Sequence, residues 1–143
     1  MWEIPPLAEL VASVVDPTNP IGMRMRAAYY LRSIFSKEEK NPEYQEQIIR
    51  ALAQGLHDER QGSLMRHEFA YVMGQLRDDR CCSDLEKALC RNDDCVMVRH
   101  EAAEALGAIG AHRSITVLKQ VMEDTHLSEL EETCRIAVSL RIM

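Results

Sequence analysis

Apolar residues return along this chain at three- and four-residue steps and do not alternate. Val98, Ala102, Ala105 and Ile109 mark one face of a helix, and Met65, Phe69, Val72 and Leu76 mark another. The same register recurs inside a longer motif. It reads Met23-Arg24-Met25-Arg26-Ala27-Ala28-Tyr29-Tyr30-Leu31, then Met65-Arg66-His67-Glu68-Phe69-Ala70-Tyr71-Val72-Met73, then Val98-Arg99-His100-Glu101-Ala102-Ala103-Glu104-Ala105-Leu106. A weaker fourth copy begins at Leu130 and includes Cys134, Ala137 and Val138. Successive copies start 42, 33 and 32 residues apart, the spacing of repeated helical hairpins. Each motif reads as the second helix of its hairpin. First helices are expected at Leu7 to Val15, Glu43 to Leu56, Asp79 to Arg91 and His112 to Glu123, parted from their partners by turn chemistry such as Asp16-Pro17, Gly62-Ser63 and Asn92-Asp93-Asp94. Ser63 and Asp94 stand where N-caps belong, and Gly107 and Gly110 where close packing or helix termination wants a small residue.

The pattern predicts an all-α, HEAT-like repeat solenoid of four helical hairpins, about eight helices, in a single domain over residues 1–143. The repeats are placed at 5–36, 42–77, 79–110 and 112–143. Composition agrees: 46% of residues are hydrophobic but only 5% aromatic, and all five prolines lie in the first 42 residues, leaving the rest free for long helices. The segment SKEEKNP, residues 36–42, is the one clear insertion and accounts for the longer first offset. Arg24 and Arg26 near the start and Glu131-Glu132 near the end are expected to mark the polar ends of the stack, although the chain closes on Leu140-Arg141-Ile142-Met143 without an obvious capping helix.

Acidic residues outnumber basic ones 23 to 17, for a net charge of −6. This excludes nucleic acid as the natural partner and favours a cationic one. Five cysteines without a CxxC spacing suit neither a disulfide framework nor a zinc knuckle, so a reducing, cytoplasmic setting is expected. The opening MWEIPPLAEL has no basic n-region followed by a long apolar run, and no uncharged apolar stretch approaches membrane-spanning length, so a soluble protein is expected. Gly-rich phosphate loops, a GxSxG elbow and a Cys-His nucleophile pair are absent from the sequence.

The candidate chemistry lies in two dipeptides, His67-Glu68 and His100-Glu101, at the same register of consecutive second helices. Stacked helices lie about 8–10 Å apart, so two histidines reaching from neighbours can converge on one ion. With adjacent carboxylates they make the donor set of non-haem iron sites, and iron or manganese is favoured over structural zinc. The outer repeats carry Met25-Arg26 and Glu132-Thr133 instead, so only the centre is equipped. Spacing alone leaves open that the dyads are ordinary polar residues, since repeats arise by duplication. Glu104, one turn beyond His100, is either a carboxylate that orients a ligand or an exposed helix glutamate. His57, His112 and His126 read as surface positions, the methionines 23, 25, 65, 73, 97 and 122 as adaptable core filling, and Cys90 and Cys95 as buried helix-end residues.

The segments MRHEFAYVMGQLRD (Met65 to Asp78) and MVRHEAAEALGAIG (Met97 to Gly110) resemble the signature segments of the deoxyhypusine hydroxylases. Val15-Asp16-Pro17, the Arg26-Ala27 region and Glu132 to Val138 follow that family as well, so the likeness covers nearly the whole chain. It implies a HEAT-repeat di-iron monooxygenase that uses Fe2+ and molecular oxygen to hydroxylate the deoxyhypusine side chain of eukaryotic translation initiation factor 5A. Family members resemble two such halves with two His-Glu dyads in each and the di-iron centre between them. This chain has two dyads and looks like the amino-terminal half. The resemblance therefore implies His67, Glu68, His100 and Glu101 as catalytic iron ligands or their close partners, with the remaining coordination supplied by a second half-domain or by a homodimer partner. Two other readings stay beside it: a metal-free HEAT-repeat scaffold for protein interactions, and a phycobilin lyase-type HEAT-like protein, which shares the V-R-x-x-A-A-x-A-L-G pattern.

Overall fold

The structure, a computed structural model, describes residues 3–142, with side chains through Leu140. Met1, Trp2 and the side chains from Arg141 onward lie outside the described residues. Among the described residues there are eight α-helices: α1 (Leu7–Val15), α2 (Ile21–Lys37), α3 (Pro42–His57), α4 (Ser63–Leu76), α5 (Cys82–Cys90), α6 (Val96–Ile109), α7 (Ile115–Asp124) and α8 (Ser128–Ile142). They pair as successive hairpins, with α1, α3, α5 and α7 in one layer and α2, α4, α6 and α8 in the other. The packing is most extensive in the second layer between α4 and α6 and between α6 and α8. The fold is thus the all-α solenoid that the periodicity predicted.

Two expected first helices are shorter than the pattern implied. Asp79–Cys81 and His112–Ser114 are single 3-10 turns that lead into α5 and α7. Each tightens the chain after its preceding hairpin, a common use of 3-10 geometry at helix ends. The turn at Glu59–Gln61 does the same before α4. The insertion is also shorter than expected, since Ser36 and Lys37 complete the last turn of α2. Asn41 caps α3 by accepting from the Tyr44 N–H, with Pro42 at the first helical position. Ser63 is not an N-cap. It is the first residue of α4, preceded by Gly62 at φ 84°. Asp94 is not one either: Cys95 occupies the N-cap position of α6 without a side-chain capping bond, and the Asp94 carboxylate has another task.

That task is a row of buried arginines. Arg24, Arg66 and Arg99 occupy the same motif position and are 7%, 4% and 5% exposed. Arg66 donates from Nε to the Leu56 carbonyl at the end of α3, and through both terminal nitrogens to Asp94 at 2.8 and 2.5 Å. Arg99 donates from Nε to the equivalent Leu89 carbonyl at the end of α5. Arg24 donates to Gln61, which stands at the Asp94 position of the preceding repeat, and Gln61 in turn donates to the carbonyls of Val14 and Val15 at the end of α1. Each rung therefore satisfies orphan carbonyls of a first helix, and the Arg24–Gln61 and Arg66–Asp94 rungs also tie one hairpin to the next. Arg24, expected to mark a polar end, belongs to this interior row.

The core fills the space between the layers. Phe69, Leu31, Ile48, Leu52, Met65, Met73, Leu85, Leu89 and Leu106 are fully buried. Met65 and Met73 pack as expected, but Met23 and Met97 are exposed, and so is Cys90, while Cys95 is half-buried. Small residues set the closeness of the second layer. A Cβ added at Gly74 would lie 2.7 Å from Ala105 Cβ, and one at Gly107 would lie 3.0 Å from Ala137 Cβ. Gly110, at φ 69°, closes α6 in the left-handed conformation that only glycine adopts without strain.

Gly74→Val forces α4 and α6 apart and is expected to cost about 1–3 kcal/mol through overpacking, read as a lower midpoint in urea unfolding. Asp94→Ala strands the buried Arg66 charge and is expected to cost roughly 3–5 kcal/mol. Hydrogen bonds from Arg66 hold the Asp94 carboxyl below its usual range, so its stabilisation is present above the unfolded value near 3.8 and is lost as pH falls through the folded value. The stability difference between the parent chain and Asp94→Asn should shrink on acidification from pH 7 to pH 3, and an unchanged difference in thermal unfolding would contradict this account.

Candidate functional site

The register of the arginine row carries both dyads to one face of the second layer, where α4 and α6 lie side by side. His67 reaches across to α6, with Nε2 3.0 Å from Glu101 Oε2. On α6, His100 Nε2 lies 3.2 Å from Glu104 Oε1. His67, His100, Glu101 and Glu104 thus form one mixed cluster spanning two repeats. Glu68 sits at its edge. Its Oε1 is 3.8 Å from His67 Nδ1, while its Oε2 accepts a hydrogen bond from the Tyr29 hydroxyl at 2.8 Å.

These contacts follow a rule that neither dyad shows alone. A donor of one repeat meets the second dyad position of the next: Tyr29 of α2 meets Glu68, His67 of α4 meets Glu101, and His100 of α6 meets Thr133 of α8 at 2.7 Å. Tyr29 and Thr133 were not among the site residues expected from sequence. Both were detectable in principle: Thr133 occupies the Glu101 register in the fourth copy, and Tyr29 lies one turn beyond the His67 register in the first.

Thr133 decides the chemistry of His100. Its hydroxyl proton is donated to the Glu129 carbonyl at 2.8 Å, so its oxygen accepts from His100 Nδ1–H. This places the lone pair of a neutral ring on Nε2, facing Glu104. Two acceptors 3.2 Å apart need a proton or a cation between them. Glu104 therefore contacts the histidine it was considered to orient, although its own side chain is half exposed.

Burial is uneven across the set. Glu101 is 7% exposed, sunk between helices. Desolvation pushes its carboxyl above the usual carboxylate range, and nearby Glu104 adds to the shift, while His67 and His100 pull the other way. Hydrogen bonding to Glu68 raises the Tyr29 phenol likewise. His67 Nδ1 is buried with no hydrogen-bond partner. Among the described residues, no three His, Cys, Asp or Glu side chains are gathered closely enough to form a ready-made metal cage. The pair His67 Nε2 and Glu101 Oε2 nevertheless has the separation expected of two neighbouring ligands: bonds of about 2.1 Å at right angles put donor atoms about 3.0 Å apart.

A groove of about 800 Å³ opens beside His100, between α6 and α8. Met97, Gly107, Ile136 and Leu140 give it apolar walls, and Glu104 and Glu132 line it with acid. Of the remaining histidines, His57 is half-buried against Asp84 at 2.9 Å on the other layer, not a simple surface residue. His112 begins a 3-10 turn and His126 is exposed. No helix among the described residues is long and apolar enough to cross a membrane.

A family model for HEAT repeats matches residues 49–139. The chain is 35% identical over 131 residues to the deoxyhypusine hydroxylase of Schizosaccharomyces pombe, covering 92% of this chain and 39% of that protein. It is 37% identical over 126 residues to the deoxyhypusine hydroxylase of Rattus norvegicus, covering 88% and 38%. A structure of human deoxyhypusine hydroxylase in complex with glycerol superposes with a TM-score of 0.81 at 35% identity, over 95% of this chain and 43% of that one. The chain thus spans about two fifths of the length of these relatives. It belongs to the HEAT-repeat family, and within that family it is similar, over nearly all of its length, to one part of the deoxyhypusine hydroxylases.

Proposed function

We propose that this chain supplies one half of the metal centre of an iron- and oxygen-dependent deoxyhypusine hydroxylase, acting on the deoxyhypusine form of eukaryotic translation initiation factor 5A. The observation that carries the reading is the cross-repeat cluster, in which His67 and Glu101 stand 3.0 Å apart beside His100. His67, His100 and Glu101 are the residues that would hold iron, and a second half-domain or a second copy would complete the coordination. Iron, when bound, supplies the activation of dioxygen needed to attack an unreactive C–H bond.

The protein's own side chains prepare that chemistry. Thr133 holds His100 in the tautomer whose Nε2 is free to act as a donor atom. Burial of Glu101 removes water from its carboxylate, which favours pairing with a cation over remaining alone. Glu68, tied to Tyr29, is close enough to accept from the unpartnered Nδ1 of His67 after a small side-chain movement, the usual arrangement behind a ligating imidazole. The groove beside His100 suits an alkylamine: its apolar walls match the methylene chain, and Glu104 and Glu132 match the charged nitrogens.

Anaerobic titration with Fe2+, followed by calorimetry, is expected to show weak binding by the isolated chain. His67→Ala and His100→Ala should abolish it with helix content unchanged by circular dichroism. Thr133→Val should weaken it about 10- to 100-fold, the usual effect of losing a ligand's orienting partner. Tight binding that survives both histidine substitutions would place the metal elsewhere. The isolated chain is expected to be inactive on the deoxyhypusine substrate and to gain hydroxylation activity with the complementary half or on iron-dependent dimerisation seen by analytical ultracentrifugation. A chain inert with that half, by mass spectrometry of the factor, would sink the oxygenase reading.

A further inference from the structure

The row of buried arginines is broken at its last rung. Arg24 is answered by Gln61 and Arg66 by Asp94, residues that stand four positions before the first buried apolar residue of α4 and α6, Met65 and Val98. The corresponding place before Leu130 of α8 holds His126, a residue that cannot serve as a carboxylate. Arg99 is as buried as the others, at 5% exposed. Its Nε repeats the bond of Arg66, donating to the Leu89 carbonyl at 2.9 Å. Beyond that it has only a long contact from one terminal nitrogen to Asn92 Oδ1 at 3.4 Å, and among the described residues no carboxylate lies within ion-pair distance of it. A buried guanidinium without a counter-charge is costly, and among the described residues the only partner of the Arg99 terminal nitrogens is the long contact to Asn92.

Arg99 lines a groove. A cavity of about 580 Å³, lined by Arg99, Asn92, Gln120, Asp124, Thr125 and His126 among others, lies between the ends of α5 and α7. Asp124 is the one acid in its lining, and its Oδ2 accepts from Gln120 Nε2 at 2.7 Å.

We propose that this groove is a carboxylate-binding site, in which the terminal nitrogens of Arg99 take a planar carboxylate as those of Arg66 take Asp94. The molecule itself specifies the ligand chemistry, because the equivalent arginine, anchored by the same Nε bond, receives both oxygens of one carboxyl group. His126 adds a ring nitrogen donor on the open side, and Gln120 an amide. The carboxylate comes either from a small organic acid or from an acidic residue of a bound polypeptide. The site lies apart from the histidine cluster and does not rest on the hydroxylase reading.

The experiment is thermal unfolding of the full chain in sodium acetate and in sodium chloride of equal ionic strength, with NMR of the Arg99 side chain as acetate or the blocked peptide acetyl-Gly-Asp-Gly-amide is added. Acetate is expected to raise Tm by roughly 2–4 °C over chloride and to shift the Arg99 Nε–H resonance saturably. His126→Asp restores the missing rung, so it should raise Tm without acetate and remove the acetate increment. Arg99→Gln, if folded, should also remove the response. Tighter binding of the peptide than of acetate assigns the carboxylate to a polypeptide, and the reverse assigns it to a small acid. Equal stabilisation by chloride and acetate, or an acetate response that His126→Asp leaves intact, would overturn the proposal.

Discussion

The Arg66–Asp94 pair is the interaction on which the arrangement of this molecule turns. It joins the second helix of one hairpin to the loop that launches the next, and Arg66 at the same time closes the carbonyl end of its own first helix. A buried ion pair is poor evidence of net stability, because desolvation opposes the attraction, but it is specific in geometry. Two parallel N–H bonds to one carboxylate leave little freedom of register. A slip of one residue along α6 would part Asp94 from Arg66 and rotate His100 and Glu101 away from His67. The structural pair and the functional face are therefore set by the same contact.

Small residues complete that constraint. With Gly74 against Ala105 and Gly107 against Ala137, the second helices approach more closely than large side chains would permit. The closeness lets His67 reach Glu101 and His100 reach Thr133 across helix boundaries. The result is a set of separate polar contacts laid over a dry core: Tyr29 to Glu68, His67 to Glu101, and His100 to Thr133 and on to the Glu129 carbonyl. Within each contact one partner fixes the proton position of the other. This matters most at His100, where the threonine selects which ring nitrogen keeps its lone pair.

The cluster is also electrostatically unfinished. Glu101 and Glu104 bring two carboxylates near each other, one of them buried, and the two histidines offset them only in part. Under the proposed function, this imbalance is what a bound cation would offset, and the acid-lined apolar groove is what an alkylamine would occupy. The acidic balance of the whole chain, −6, works in the same direction by favouring approach of cationic groups.

What the sequence determined by itself was the helical class, the repeat and the shared register of the two dyads. These are local or periodic properties: a 3.6-residue apolar spacing and an offset of 33 residues between His67 and His100 require no knowledge of packing. The repeat also aligns Arg24, Arg66 and Arg99, but only the stacked helices show that all three are interior. Tertiary structure alone decided the pairings. Glu68 and Glu101 hold the same repeat position, yet one faces a tyrosine at the edge and the other is buried beneath a histidine, because their neighbours on the preceding helix differ. Likewise Asp94 and Ser63, both good caps by residue type, do not cap, since a stronger partner or a glycine turn claims the position. A residue's role here depends on what the next repeat places within three ångströms of it, and that distance is a property of the stacked helices, not of the chain.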